Sequence, residues 1–165
     1  MEIRQVHAKD ADKYQEIRLE ALQTNPEAFA SSYEEEKLFS LERFRSRLQD
    51  ENSYTFGAYE QDKLIGVVSL VVEQKNKIKH RANIYAMYVK PNLRGNGIAK
   101  MLMLEAVKVA NQLKGIEQVY LSVVSSNKPA KKLYQSIGFK IYGLDKRAMK
   151  IDDVYFDEEL MVLYF

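Results

Sequence analysis

The segment PNLRGNGIAK, residues 91–100, holds two of the chain's seven glycines and joins a predicted strand to a predicted helix. The preceding run ANIYAMYVK is typical of a strand, which Pro91 ends. From about Gly97 the apolar residues recur at helical spacing, in a stripe of Ile98, Leu102, Ala106, Val109 and Leu113. Such a junction presents free backbone N–H groups at the positive end of a helix, where glycine lets an anion come close. The segment predicts a phosphate-binding loop, although a tight turn without a ligand would use the same glycines.

Two common phosphate-binding signatures do not fit this loop. A nucleotide-hydrolysing P-loop needs Gly-Lys-Ser/Thr, whereas Gly97 is followed by Ile98 and Ala99. A dinucleotide-binding fold needs a third glycine and an acidic residue at the end of the next strand. Glu117 has the right spacing but precedes its strand. The loop therefore favours another phosphate compound.

The rest of the chain predicts an α/β fold with a mixed sheet. Asp10 and Ser40 are typical N-caps of two early helices, and Gln61–Asp62 separates two strands at hairpin spacing. Asn127 is a typical N-cap of a later helix that ends at Gly138. The predicted order is β-α-α-β-β-β-α-β-α-β-β. Its central strand–helix–strand unit implies one parallel pair in a mostly antiparallel sheet flanked by helices.

Composition excludes several classes of function. The 165 residues include no cysteine, so there is no disulfide, thiolate nucleophile or Cys-ligated zinc. His7 and His80 lack metal-ligand spacing, and a net charge of +2 gives no basic field for nucleic acid. The sequence has no apolar run of membrane-spanning length and begins with a polar segment. We expect a single cytoplasmic domain over residues 1–165, without a metal, nucleic acid or membrane partner.

Two motifs give the chain a specific resemblance. YVKPNLRGNGIAKML is similar to the acyl-CoA loop of the GCN5-related N-acetyltransferase (GNAT) superfamily, whose Gln/Arg-x-x-Gly-x-Gly/Ala pattern is met by Arg94, Gly97 and Ala99. NKPAKKLYQSIGF resembles the second motif of that superfamily. Its matching residues are Asn127, Ala130, Leu133, Tyr134, Gly138 and Phe139. The resemblance covers about residues 80–140 and implies a GNAT-type fold with a splay between the two central strands.

The resemblance implies direct transfer of an acetyl group from acetyl-CoA to an amine within a ternary complex. Backbone N–H groups of residues 95–100 would hold the pyrophosphate, and the strand at residues 87–89 would lie along the pantetheine arm. An N–H near Val89 would stabilise the oxyanion. The implied cofactor-binding residues are Met87, Tyr88, Val89, Arg94, Gly95, Asn96, Gly97, Ile98, Ala99, Lys100, Asn127 and Tyr134.

Tyr134 is the catalytic residue that the resemblance implies. A phenol with a reference pKa of ~10 stays protonated at neutral pH and can protonate a leaving thiolate. Alternatively, Tyr134 only packs in the core, because Ala130, Leu133 and Ile137 form an apolar stripe beside it. Asn127 likewise serves as a helix cap, a contact to CoA, or both.

The sequence identifies the acceptor site less specifically than the cofactor site. Ribosomal-protein N-terminal acetyltransferases carry a glutamate where this chain has Ser122, which argues against that activity. The connection between the two early helices often forms one wall of the acceptor cleft in this family, and here it holds candidate substrate residues. These are Phe29, Tyr33, Glu34 and Glu35. The carboxylates would select a cationic amine if they face the cleft, and otherwise form a solvated surface. Asp157 and Glu158 are further candidates for the general base.

The favoured function is therefore N-acetylation of a primary amine, preferably a small cationic amine or metabolite. One alternative is a protein N-terminal or lysine acetyltransferase. Another, of a different class, is a non-catalytic acyl-CoA-binding module. The apolar closing strand ELMVLYF is also compatible with a homodimer.

Overall fold

The computed structural model describes residues 1–165 and contains one seven-stranded sheet. The strands are β1 (Glu2–Gln5), β2 (Ser53–Glu60), β3 (Lys63–Val72), β4 (Arg81–Val89), β5 (Gln118–Val124), β6 (Lys140–Ile151) and β7 (Val154–Tyr164). The helices are α1 (Ala11–Thr24), α2 (Tyr33–Glu36), α3 (Leu41–Gln49), α4 (Ile98–Gln112) and α5 (Lys128–Ile137). The sheet order is β1-β2-β3-β4-β5-β7-β6, and only β4 and β5 are parallel. The predicted mixed sheet and element order are confirmed, and the one-turn helix α2 is an addition.

Local signals set most helix boundaries as expected. The Ser40 hydroxyl accepts from the backbone N–H of Arg43 at 3.3 Å, and Asn127 Oδ1 accepts from the N–H of Ala130 at 3.2 Å. Gly138 ends α5 at a φ of +115°, where other residues are strained. These three predictions are confirmed.

Asp10 departs from its predicted role. It occupies the position before α1, but its side chain makes no cap hydrogen bond. Its carboxylate instead accepts from both terminal nitrogens of Arg4, at 2.9 and 3.1 Å, and from the backbone N–H of His7 at 3.2 Å. The Asp10 carboxylate therefore binds the charged Arg4 side chain of β1 instead of the free N–H groups at the start of α1.

Two apolar cores lie on opposite faces of the sheet. The first surrounds α4, whose Leu102, Met103 and Ala106 are fully buried against β2, β3 and β4. The second lies between the other face and helices α1 and α3, around the fully buried Phe44. The predicted apolar stripe of α4 is thereby confirmed as the contact face of that helix. No helix is long and apolar enough to cross a membrane.

A bulge bends β4 near its middle. Tyr85 pairs with Ser69 and Tyr88 pairs with Val67, so two residues of β4 oppose one of β3. The bulged residue Ala86 adopts a left-handed φ of +56°. Because of the extra residue, Tyr85 and Tyr88 both lie on the face covered by α1 and α3.

The parallel ladder between β4 and β5 is short. It pairs Arg81–Asn83 with Gln118–Tyr120 and no residues beyond them. On its other edge β4 stays paired with β3, and the N–H of Lys90 donates to the Ile65 carbonyl at 3.0 Å. Since backbone groups alternate along a strand, the N–H of Val89 points away from β3, towards the β5 side. The last part of β4 therefore has one edge without a strand partner.

One buried carboxylate joins the three early helices. Glu36 at the end of α2 is 1% exposed and accepts two hydrogen bonds from Arg18 of α1, at 2.9 and 3.0 Å. It also accepts two from Arg47 of α3, both at 3.2 Å. Burial alone would raise the pKa of Glu36, but the hydrogen bonds from the two arginines outweigh it and lower the pKa to about 2.

Replacing Leu102 by alanine should destabilise the protein strongly, because it leaves a cavity in the first core. We expect a loss of about 3–5 kcal/mol in the free energy of unfolding, measured by urea denaturation. Leu104 lies on the same helix but is 46% exposed. Leu104→Ala is the matched control and should change stability by less than about 1 kcal/mol. Equal losses in the two variants would contradict the assignment of the buried face.

Glu36→Gln should also destabilise, by about 3 kcal/mol at pH 7, because two guanidinium groups lose their buried counter-ion. The lowered pKa means that the carboxylate stabilises the fold above its ordinary pKa of 4.5, and that this contribution is lost as the pH falls from there towards 2. The difference between wild type and variant should shrink over that range in pH-dependent urea melts. Glu34→Gln, on the exposed side of α2, should show neither effect.

Candidate active site

The glycine loop forms the N-terminus of α4. Gly95 and Gly97 have φ values of +82° and +77°, and a Cβ at either position would meet no atom within 4 Å. Backbone conformation, not crowding, therefore requires glycine at both. The first hydrogen bond of the helix runs from the N–H of Met101 to the Gly97 carbonyl, at 3.1 Å. The six preceding N–H groups, of residues 95–100, donate to no acceptor in the protein. They lie at the positive end of a 15-residue helix, which is the arrangement predicted for an anion-binding site.

Side chains around the loop hold it in place. Arg94 Nε donates to the carbonyl of Val89 at 2.9 Å, and Arg94 Nη2 donates to Asn25 Oδ1 at 2.6 Å. Asn96 Nδ2 donates to the Leu93 carbonyl at 3.1 Å. Arg94 thus ties the loop to the end of β4 and to the residue that follows α1. Asn25 was not predicted to lie at the site, because its only signal in the sequence was its position before Pro26.

The remaining loop residues differ in exposure. Ile98 is buried in the first core, Ala99 is partly buried and Lys100 is exposed. Ile98 can therefore contribute only its backbone N–H to an anion, whereas the Lys100 ammonium is free to approach one.

The end of β4 lies beside this loop. Val89 packs in the first core, while Tyr88 faces the second core and donates its hydroxyl proton to Glu20 Oε1 at 2.9 Å. Lys90 Nζ donates to the other oxygen of Glu20 at 2.8 Å. Met87 is partly buried against the first core. The side chains of this segment are thus used for packing, and its backbone edge is what remains for a ligand.

Tyr134 is 7% exposed and packs edge-on against Phe139, with ring centroids 6.2 Å apart. Burial raises the pKa of Tyr134 to about 12, so the phenol is protonated throughout the neutral range. Its hydroxyl makes no hydrogen bond to the protein. Asn127 acts as the cap of this helix, and its contact to CoA stays a prediction.

A cavity of about 340 Å³ lies between the sheet and the early helices. Its floor includes Thr55, Ser69 and Tyr85, which form one row across β2, β3 and β4, and the Thr55 and Ser69 hydroxyls are 2.8 Å apart. The cavity reaches Ala86, the bulged residue of β4. Its roof comes from Tyr14, Arg18, Phe29, Arg47 and the segment 28–31. This acceptor-side cavity meets β4 just before the segment 87–89.

Of the four predicted substrate residues, only Phe29 lines the cavity, with the Arg18 guanidinium 4.8 Å from its ring centroid. Tyr33, Glu34 and Glu35 lie outside it. The Glu35 carboxylate caps α2 by accepting from the N–H and hydroxyl of Ser32, at 2.8 and 3.0 Å. Glu34 is exposed and pairs with Lys37. The expected acidic wall is therefore not formed by these residues, because helix capping and solvent take their carboxylates.

A second cavity, of about 170 Å³, lies where β4 and β5 stop pairing. Ser122 lines it together with Tyr85 and Tyr120, and the Arg81 guanidinium stacks 3.9 Å from the Tyr120 ring centroid. Neither Asp157 nor Glu158 lines either cavity, and Asp50 is the one carboxylate that lines the larger cavity. No group of three or more His, Asp or Glu side chains could hold a metal ion.

Known proteins share this arrangement. The family described as an acetyltransferase (GNAT) domain matches residues 3–160. The acetyltransferase PseH of Campylobacter jejuni is 33% identical over 105 residues, 63% of this chain and 62% of that protein. The chain spans about three fifths of the length of the curated relatives that head the comparison.

Solved structures agree with the family match. A GNAT-family acetyltransferase from Streptococcus pneumoniae superimposes with a TM-score of 0.90 at 22% identity, over 99% of each chain. The Salmonella typhimurium protein yncA, solved with its cofactor acetyl-CoA, gives a TM-score of 0.81 at 18% identity, over 99% of this chain and 93% of that one. These likenesses show the fold. Together with the match over residues 3–160, they show that the chain belongs to the GNAT family of acetyltransferases.

Proposed function

We propose that this protein transfers the acetyl group of acetyl-CoA directly to the primary amine of a small molecule. The observation that carries the proposal is the row of six free N–H groups at residues 95–100, shortly after a strand whose last part has no strand partner on the β5 side. In a member of the GNAT family, this pair of features fits a CoA pyrophosphate followed by its pantetheine arm.

The cofactor contacts in this proposal are mostly backbone contacts. The N–H groups of residues 95–100 hold the pyrophosphate, and Lys100 adds positive charge. The pantetheine arm lies along Met87–Val89, where the short β4–β5 ladder supports the predicted splay. The N–H of Val89 donates to the thioester carbonyl and stabilises the oxyanion that develops during attack.

In the chemical step the amine nitrogen attacks the thioester carbonyl carbon, and the carbon–sulfur bond of the resulting intermediate breaks. The amine loses one proton to water, the leaving thiolate takes one proton from the Tyr134 hydroxyl, and the phenolate regains a proton from water after the transfer. A free thiol in water has a pKa of ~8.5, below that of this phenol. Desolvation of the thiolate in the buried site raises its pKa and so reduces this difference.

The acceptor occupies the cavity of about 340 Å³ above Thr55, Ser69 and Tyr85. This volume is at the small end of ligand pockets, which supports a small acceptor over a protein side chain or terminus. The amine lies at the end near Ala86, because that end adjoins the segment proposed for the thioester. Cytoplasmic location and a homodimer stay predictions.

Gly97→Ala should weaken acetyl-CoA binding, because a residue with a Cβ is strained at a φ of +77° and relief of that strain would move the N–H donors of the loop. We expect the dissociation constant for acetyl-CoA, measured by calorimetry, to rise at least about tenfold, as when one hydrogen bond to a charged group is lost. Gly115→Ala is the matched control. Gly115 lies beyond the other end of α4 at a φ of +89°, also with no atom within 4 Å of an added Cβ. Both variants should lose about 1–2 kcal/mol of stability. Equal effects on cofactor binding would contradict the anion-site assignment.

Tyr134→Phe should lower kcat about 100-fold or more, while the KM for acetyl-CoA changes little, because the phenol acts on the leaving group. The measurement is thiol release from acetyl-CoA with a panel of amino acids, polyamines and short peptides. Tyr164→Phe removes an exposed hydroxyl and should leave kcat unchanged. A wild type that binds acetyl-CoA but releases no thiol with any amine would instead favour the non-catalytic binding module.

A further inference from the structure

We infer that the acceptor carries a carboxylate as well as its amine, and that Arg18 and Arg47 in the roof of the acceptor-side cavity bind this carboxylate. The inference rests on the proposed function in taking this cavity as the acceptor site. Its evidence is the net positive charge of Arg18, Arg47 and Glu36 at the roof of this cavity.

Two guanidinium groups share one carboxylate. Arg18 and Arg47 line the cavity, and Glu36 lies behind them, 1% exposed, with hydrogen bonds from both. The pKa of Glu36 lies near 2, so at neutral pH its charge is −1. Each arginine is charged at any physiological pH. The three side chains together therefore carry a net charge of +1.

Both arginines keep hydrogen-bond donors free. Arg18 bonds Glu36 through Nε and Nη2, which leaves Nη1 without an acceptor. Arg47 bonds Glu36 through Nη1 and Nη2, so its Nε is not used by Glu36. Planar guanidinium groups match the geometry of a carboxylate, so these donors suit a second carboxylate of the same shape.

Neutralising the charge of Glu36 does not require the second arginine. Arg18 alone, with its side chain 11% exposed, would neutralise Glu36 through its two hydrogen bonds. Arg47, whose side chain is 34% exposed, joins α3 to Glu36 and leaves one positive charge in excess at the cavity roof. A bound carboxylate would offset this charge.

Asp50 is the other charged side chain that lines the cavity. Asp50 is exposed, next to the start of β2, and its Oδ1 accepts from the N–H of Asn52 at 2.9 Å. The sheet register places Ser53 one row beyond Thr55, away from Tyr85 and Ala86. Asp50 therefore sits at the end opposite the proposed position of the amine, and it does not pair with either arginine.

The size and charge of the cavity favour an amino acid. A volume of about 340 Å³ holds a small molecule that bears an amine and a carboxylate a few bonds apart. One carboxylate offsets the net charge of +1, whereas a phosphate monoester carries about −1.5 to −2 at pH 7 and would overcompensate it. The acidic wall expected for a polyamine is not present at this cavity.

The first test measures binding without turnover. The protein is saturated with CoA and titrated with three N-acetyl amino acids and with their carboxamides. The three acids are N-acetyl-L-alanine, N-acetyl-L-leucine and N-acetyl-L-phenylalanine. At least one acid should bind wild type about tenfold or more tighter than its amide, as expected for hydrogen bonds to a charged group. Arg47→Gln should abolish this preference, and Arg47→Lys should restore part of it.

Arg45→Gln is the matched control for Arg47→Gln. Arg45 lies on the same helix with the same 34% side-chain exposure, but it pairs with the exposed Glu42. This variant should keep the preference for the acids. Arg47→Gln retains the pair between Arg18 and Glu36, and its melting temperature reports whether the fold survives.

Thiol release separates this inference from the proposed function. The assay compares four kinds of acceptor for the acetyl group of acetyl-CoA: L-amino acids, their carboxamides, spermidine and O-phosphoethanolamine. Preferred turnover of free amino acids supports both proposals. Selective binding of the N-acetyl acids without any thiol release supports the inference and contradicts the proposed function. The inference is overturned if carboxamides, spermidine or O-phosphoethanolamine turn over as fast as the free amino acids or faster. It is also overturned if no N-acetyl acid binds better than its amide.

Discussion

The ladder between β4 and β5 stops after three residue pairs, and the proposed cofactor site depends on where it stops. These are the only parallel neighbours in the sheet, and α4 connects them. Backbone N–H and C=O groups need partners, so the unpaired edge of β4 is a place for another hydrogen-bonding chain. Arg94 already takes the Val89 carbonyl, and the Val89 N–H stays available on the same edge. The end of the ladder therefore brings this free N–H next to the glycine loop that begins α4.

The bulge at Ala86 controls the other side of the sheet. By adding one residue to β4, it puts Tyr85 and Tyr88 on the face covered by α1 and α3. Tyr88 then reaches Glu20, while Tyr85 completes the row with Thr55 and Ser69 on the cavity floor. A regular strand would turn one of the two tyrosines to the opposite face. A single left-handed residue thus places the cavity next to the segment proposed for the cofactor.

Glu36 couples the stability of the helical layer to the charge of the cavity. The same carboxylate that holds α1 and α3 together also orients the two guanidinium groups in the roof. Because a buried carboxylate needs partners of opposite charge, the contact between the helices cannot be replaced by an apolar one without altering the cavity. Helix packing and the inferred recognition of the acceptor therefore share one ion network.

Local signals in the sequence determined the element order, the caps at Ser40 and Asn127, and the glycine loop, because each depends on residues within a few positions along the chain. The role of Tyr134 stays a prediction from its motif. Only the tertiary structure decided that Glu36, rather than Glu34 or Glu35, is the buried member of the acidic run, since its partners lie 18 and 11 residues away. The same holds for Ala86, which adopts a conformation that its own side chain disfavours. Long-range contacts offset that local cost, and no short stretch of sequence contains them.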